Sequence, residues 1–165
     1  MRSGNSITGK IVTEKQLLQK INVWRLLGKT IVFSNGCFDI LHAGHIASLS
    51  EAAQHGDILI IGVNADVSVK KIKDNNRPVN DEYSRALLLA SLSIVDAVII
   101  FSEDTPLEII KIIQPDVLVK GGDYSIDQIS GAKEVIAGGG KVIINPLVDG
   151  FSTTSIIQKL KKLNL

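Results

Sequence analysis

Three features of the sequence predict a doubly wound α/β fold, a parallel five-stranded sheet with helices on both faces. Short apolar runs alternate with longer amphipathic stretches along the chain. Apolar residues make up 45% of the chain and aromatics only 4%, with Ile, Leu, Val and Ala dominant, which suits strands buried on both faces. The glycine-rich and polar segments follow the apolar runs, so the chemistry gathers at the carboxyl ends of the strands. At 165 residues the chain is long enough for one core, burying roughly 70% of its unfolded surface, and short for two. Residues 1–165 therefore read as a single domain.

Ile11 to Leu27 reads as an opening helix, with Thr13 as N-cap and Gly28 as stop. Thr30 to Ser34 is the first strand, and His42 to His55 a helix with Ile46, Leu49, Ala52 and Ala53 on one face, ended by Gly56. Asp57 to Val63 is the second strand and closes a right-handed βαβ unit. Asn64 to Asn80 is polar and basic and contains Pro78, so it reads as a functional or mobile loop. Glu82 to Leu92 is helical and Asp96 to Phe101 a strand. Thr105-Pro106 then opens a helix over Leu107 to Ile113. Val117 to Val119 is a short strand, Ser130 to Ala137 a helix stopped by three glycines, Val142 to Ile144 the last strand, and Thr153 to Leu163 the last helix.

Lys and Arg total 18 against 17 Asp and Glu, a formal charge of +1, so no global field holds the chain on nucleic acid or an anionic membrane. An anionic ligand must be held locally. Cys37 is the single cysteine and the first residues carry no apolar export segment, which predicts a reducing cytoplasm. No apolar run approaches the ~20 residues of a membrane span.

The most informative segment runs from Asn35 to His45 and places His42 and His45 three residues apart at the first turn of a helix that follows a strand. Both imidazoles can face one point. The free N–H groups and dipole of that helix favour a phosphate there, and protonated histidines would add charge. Gly36 and Gly44 permit close approach. Two rivals stand beside this reading: surface histidines that merely cap a helix, and a metal site from Asp39, His42 and His45. Lys70, Lys71, Lys73 and Arg77 can close over a polyphosphate or form a solvated basic loop. Arg85 can pair with Asp81 at i,i+4 or reach a nucleotide. Lys120-Gly121-Gly122-Asp123 offers bare backbone N–H groups and a carboxylate, or is a turn. Ser152-Thr153-Thr154-Ser155 is more than a cap requires and can form a second anion site. Asp66, after Gly62 and Asn64 at the end of the second strand, can cap a turn.

The run Gly36-Cys37-Phe38-Asp39-Ile40-Leu41-His42-Ala43-Gly44-His45, together with Ser152-Thr153-Thr154, resembles the hallmarks of the cytidylyltransferase-like nucleotidyltransferase superfamily, whose fold is Rossmann-like. Within it, Arg77-Pro78-Val79-Asn80, Glu103-Asp104-Thr105-Pro106 and Pro115 to Tyr124 resemble the D-glycero-β-D-manno-heptose 1-phosphate adenylyltransferases, and the likeness spans residues 13–163. In many bacteria that domain follows a sugar kinase; the resemblance here is to its stand-alone form. It implies transfer of AMP from ATP to the sugar 1-phosphate, giving ADP-heptose for lipopolysaccharide or related surface glycans. The resemblance assigns His42, His45, Lys71, Lys73 and Thr153 to catalysis on the phosphates. It assigns Gly36, Cys37, Phe38, Gly44, Gly62, Asn64, Asp66, Arg85, Gly121, Gly122, Asp123, Ser152, Thr153 and Thr154 to the nucleotide, and Asn35, Asp39 and Lys120 to the sugar phosphate. Mg²⁺ accompanies ATP, held mainly by phosphates, with Asp39 the one side chain suspected as ligand. A homodimer is expected. The rival activities are a cytidylyltransferase acting on glycerol 3-phosphate or phosphoethanolamine, and a silent nucleotide sensor on the same fold.

Overall fold

The structure, a computed structural model, describes residues 5–73, 76–122, 124–146 and 150–163. Five parallel strands form one sheet in the order β3-β2-β1-β4-β5: β1 (Ile31–Gly36), β2 (Ile58–Asn64), β3 (Ala97–Phe101), β4 (Val117–Gly121) and β5 (Lys141–Asn145). The chain builds outward from β1 to β3, then returns to the other side of β1 for β4. The topological switch therefore lies between β1 and β4, the place where doubly wound sheets hold their ligands.

Period-two alternation sends the two faces of the sheet into two cores. Ile31, Phe33, Ile58, Ile60, Ala97, Ile99 and Leu118 face α2 (Glu14–Leu26), α6 (Leu107–Ile113) and α7 (Ala132–Ala137). Val32, Leu59, Ile61, Val63, Val98, Val117 and Val119 face α3 (Ala43–Ala53) and α5 (Glu82–Ala90). Helices thus cover both faces, as the apolar alternation predicts. Thr13 caps α2 as expected and forms a reciprocal pair with Gln16, whose Oε1 accepts the Thr13 N–H at 2.9 Å. At the opposite end of the sheet from the switch crevice, three aspartates fix the strand starts. Asp57, Asp96 and Asp116 accept the N–H groups of Thr30, Leu59 and Ile31 at 2.7–2.9 Å.

One expectation fails in the segment after β2. The stretch read as a loop contains α4 (Asp66–Ile72), whose buried residues are Ser68 and Val69 while Val67 and Ile72 face out. A short α1 (Asn5–Thr8) and a 3₁₀ turn over Ile126–Gln128 are also additions to the sequence reading. The final helix, α8 (Thr153–Lys162), has no buried residue, and its first turn borders the switch crevice.

Candidate active site

A cleft of about 570 Å³ opens over the carboxyl ends of β1 and β4 and is bordered by the starts of α3 and α8. His42 is the N-cap of α3: its Nδ1 accepts the His45 N–H at 3.3 Å, which leaves Nε2 as the N–H donor of the neutral ring. The two imidazoles stack at 3.8 Å between centroids and 20° between planes, and Phe38 meets His45 edge-on at 5.3 Å. Burial, then the neighbouring His42, pushes the His45 pKa down to about 4, against a smaller opposing effect of the Ile40 carbonyl. Burial also lowers His42. In the free protein His45 is therefore held neutral at pH 7 rather than as the added cation of the sequence reading.

Gly44 is set by packing. A Cβ there would lie 2.9 Å from the Phe151 Cβ and 3.1 Å from His42 Nδ1, so the approach to α8 closes directly over α3. At the head of α8 the Ser152 hydroxyl accepts the Ser155 N–H at 3.0 Å and serves as the cap. Thr153 and Thr154 border the cleft beside it. The cap thus uses only the Ser152 hydroxyl, with Thr153 and Thr154 left beside the cleft.

Lys120 lies half-buried at the end of β4, its Nζ 3.3 Å from both the carbonyl and the side-chain oxygen of Asn35, and burial lowers its pKa. Burial raises that of Cys37, opposed by Lys73, Arg85, Lys120 and Arg77. The cleft also takes in Gly36, Asn64, Lys73 and Gly121.

Several residues with expected ligand roles have partners within the protein, Asp39 among them although it borders the cleft. The Asp39 carboxylate, almost wholly buried, accepts from Arg77 Nε at 2.5 Å, from the Val79 N–H at 2.6 Å and from the Asn80 N–H at 3.1 Å. Its oxygens tie down a loop and are not free for a metal. Arg85 pairs with neither Asp81 nor the cleft: its buried guanidinium reaches the Asp66 carboxylate at 2.8 Å, the Cys37 carbonyl at 2.5 Å and the Asn80 carbonyl at 3.0 Å. Asp81 instead caps α5 through the Ser84 N–H. Lys71 is turned to Asp104 in an exposed pair at 2.8 Å. Gly62 sits where a Cβ would strike the rings of Phe33 and Phe101, and neither it nor Gly122 borders the cleft. Asp123 lies outside the described residues.

The cleft also includes residues that sequence reasoning passed over. Ser48 stands one helical turn beyond His45 on the same face of α3, a spacing that could have flagged it. Tyr124 follows Gly121-Gly122-Asp123 in the sequence, and its ring lies 6.0 Å from Lys120 Nζ. Gln128 and Ser130 arrive from the 3₁₀ turn and carried no local signal. Among the described residues no three His, Cys, Asp or Glu side chains are grouped to hold a metal ion, so the protein-ligated metal reading of Asp39, His42 and His45 finds no support. No helix among them is long and apolar enough to cross a membrane.

Comparison with known proteins matches residues 33–159 to the cytidylyltransferase-like family, from the middle of β1 into α8. The chain belongs to this family. It is 51% identical over 150 residues to the bifunctional protein HldE of Koribacter versatilis, covering 91% of this chain and 31% of that protein. It is 53% identical over 150 residues to the bifunctional protein HldE of Shewanella piezotolerans, again covering 91% and 31%. The chain thus spans about a third of the length of these curated relatives. Among solved structures it is similar to the lipopolysaccharide core biosynthesis protein of Thermoplasma volcanium, with a TM-score of 0.58, 30% identity, and coverage of 73% of this chain and 98% of that one. It shares the fold of pantoate-beta-alanine ligase from Francisella tularensis at a TM-score of 0.63 and 18% identity.

Proposed function

We propose that the chain transfers AMP from ATP to D-glycero-β-D-manno-heptose 1-phosphate, giving ADP-heptose and pyrophosphate. The observation that carries this reading is the 51% identity to an HldE protein across 91% of the chain, with the stacked His42–His45 pair and the Thr153–Thr154 helix start facing one cleft. The likeness to a lipopolysaccharide core biosynthesis protein supports surface glycan synthesis as the use of the product.

In the proposed reaction an oxygen of the sugar phosphate attacks the α-phosphorus of ATP in line, and the bond to the β-phosphate oxygen breaks. Pyrophosphate leaves with that electron pair. The nucleophile is already ionised, so the protein needs to position groups and neutralise charge rather than remove a proton. His42 donates from Nε2, and His45 takes up a proton as phosphate charge enters its half-buried position. Thr153, Thr154 and the free N–H groups of α8 bind the leaving phosphates, with Lys73 beside them. Lys71 joins them only by exchanging its Asp104 partner for a phosphate. Lys120 and Asn35 hold the sugar phosphate. Adenosine falls to Phe38, Asn64 and Gly121, because Asp66 is committed to Arg85 and Gly62 is packed under aromatic rings. Mg²⁺ held by the phosphates of ATP would lessen their charge, and among the described residues no group of side chains is placed to ligate it. Dependence on ATP fits a cytoplasmic site of action.

The deciding experiment is pyrophosphate release with Mg²⁺, testing ATP, GTP and CTP each against the β-heptose 1-phosphate, its α anomer, glycerol 3-phosphate and phosphoethanolamine. Release with ATP and the β-heptose phosphate alone is expected. Release only with CTP, or nucleotide binding with no release from any pair, overturns the reading.

A further inference from the structure

Arg85 is wholly buried, yet it is neither in the cleft nor bound to a helix neighbour. It stands in the second turn of α5 and joins three separate segments: the Cys37 carbonyl just after β1, the Asp66 carboxylate at the start of α4, and the Asn80 carbonyl before α5. Only a planar fork of N–H donors serves three acceptors lying in different directions. A lysine in its place could keep the charge and not the geometry.

The segment it grips is strained. Phe38 has φ +48°, in the left-handed region that a bulky side chain rarely adopts. Its two neighbours are fixed from outside: Cys37 by Arg85, and Asp39 by Arg77, Val79 and Asn80. Asn80 belongs to both grips, because its N–H and side-chain amide bond Asp39 while its carbonyl accepts from Arg85. Between these clamps the Phe38 ring is held edge-on to His45, the same imidazole on which His42 stacks.

We infer that Arg85 is a positioning residue for His45, acting through the Cys37 carbonyl and the strained Phe38. The inference rests on the proposed phosphate role of His45. Its structural half is independent of any turnover, because release of Phe38 uncovers the imidazole whether or not a reaction follows.

The test is Arg85→Lys in the full chain, read by NMR titration of the His45 imidazole without ligand and by steady-state kinetics. The His45 midpoint is expected to rise from about 4 toward 6.5 as the ring gains water. Turnover is expected to fall about 10²-fold with KM for ATP little changed, the effect of a misplaced group at the reacting centre. Ala90→Gly loosens the same helix farther along without touching the loop and should leave the His45 midpoint where it is. An unchanged midpoint in folded Arg85→Lys, or an equal shift in Ala90→Gly, overturns the inference. If Arg85→Lys does not fold, Phe38→Leu decides instead: with Arg85 intact it must raise the same midpoint, and an unchanged one overturns the proposal. Should no nucleotide and sugar phosphate pair react with the wild type, the titration still decides the positioning role, so the two proposals fail separately.

Discussion

His42 and His45 share one helix turn but have different work. His42 accepts a backbone N–H through Nδ1 and so is locked as a donor from Nε2, whereas His45 is set deeper and resists protonation. Replacing either by alanine should lower kcat by about 10²–10³-fold, the range for loss of one preorganised donor to transition-state charge, while far-UV circular dichroism stays unchanged. Full activity in the folded variant removes the residue from the mechanism. The depressed pKa has a linked effect on stability. Unfolded histidine titrates near 6.5 and folded His45 near 4, so above 6.5 its contribution is fully present. As pH falls from 6.5 to about 4 the unfolded chain binds a proton that the folded one refuses, and stability is lost. Thermal melts across that window should fall less steeply for His45→Gln than for wild type. Binding of a triphosphate should also take up protons near pH 6, visible as a buffer-dependent heat in calorimetry.

At the level of elements, the boundary between α3 and the approach to α8 is a tight joint of the cleft. Gly44→Ala places a methyl 2.9 Å from the Phe151 Cβ, so α8 must shift or His42 must turn. A stability loss of about 1–3 kcal/mol or a raised KM for ATP is expected, measured by denaturant melts and initial rates. Neither effect would show that the joint can open freely. The strands and most helices were legible because their apolar residues follow the period of the element they form, as in β1, where Ile31 and Phe33 face one core and Val32 the other. Helix α4 was not legible, because it buries Ser68 beside Val69 and exposes Val67 and Ile72, which erases the amphipathic period. The histidine and threonine helix starts were readable since a motif at a helix N-terminus fixes its own direction. The contacts of Arg85 and Asp66 were not, nor was the pairing of Asp39 with Arg77: a charged residue at the cleft and one that braces it from behind look alike until distant segments are brought together.

For the molecule as a whole, the cleft draws on segments far apart in the chain, from β1 and α3 to the start of α8. A ligand bridging them should stabilise the entire domain. A non-hydrolysable ATP analogue at 100 times its Kd should raise stability by about 2.7 kcal/mol and Tm by roughly 5–10 °C, and no shift at saturating analogue counts against nucleotide binding there. An exposed apolar surface lies at the end of α2, where Leu26 is 87% exposed and Leu27 64%. The homodimer expected from the sequence would cover it, and light scattering should then give twice 17.8 kDa; a monomer at high concentration refutes this pairing. The grip of Asp39 on the loop before α5 also redraws the boundary of the folded core. Val79 and Asn80 belong to no helix or strand, yet their amide hydrogens point into a buried carboxylate. Their deuterium uptake should therefore follow the opening of the central sheet, and this unpatterned stretch of chain should be among the slow reporters of global unfolding.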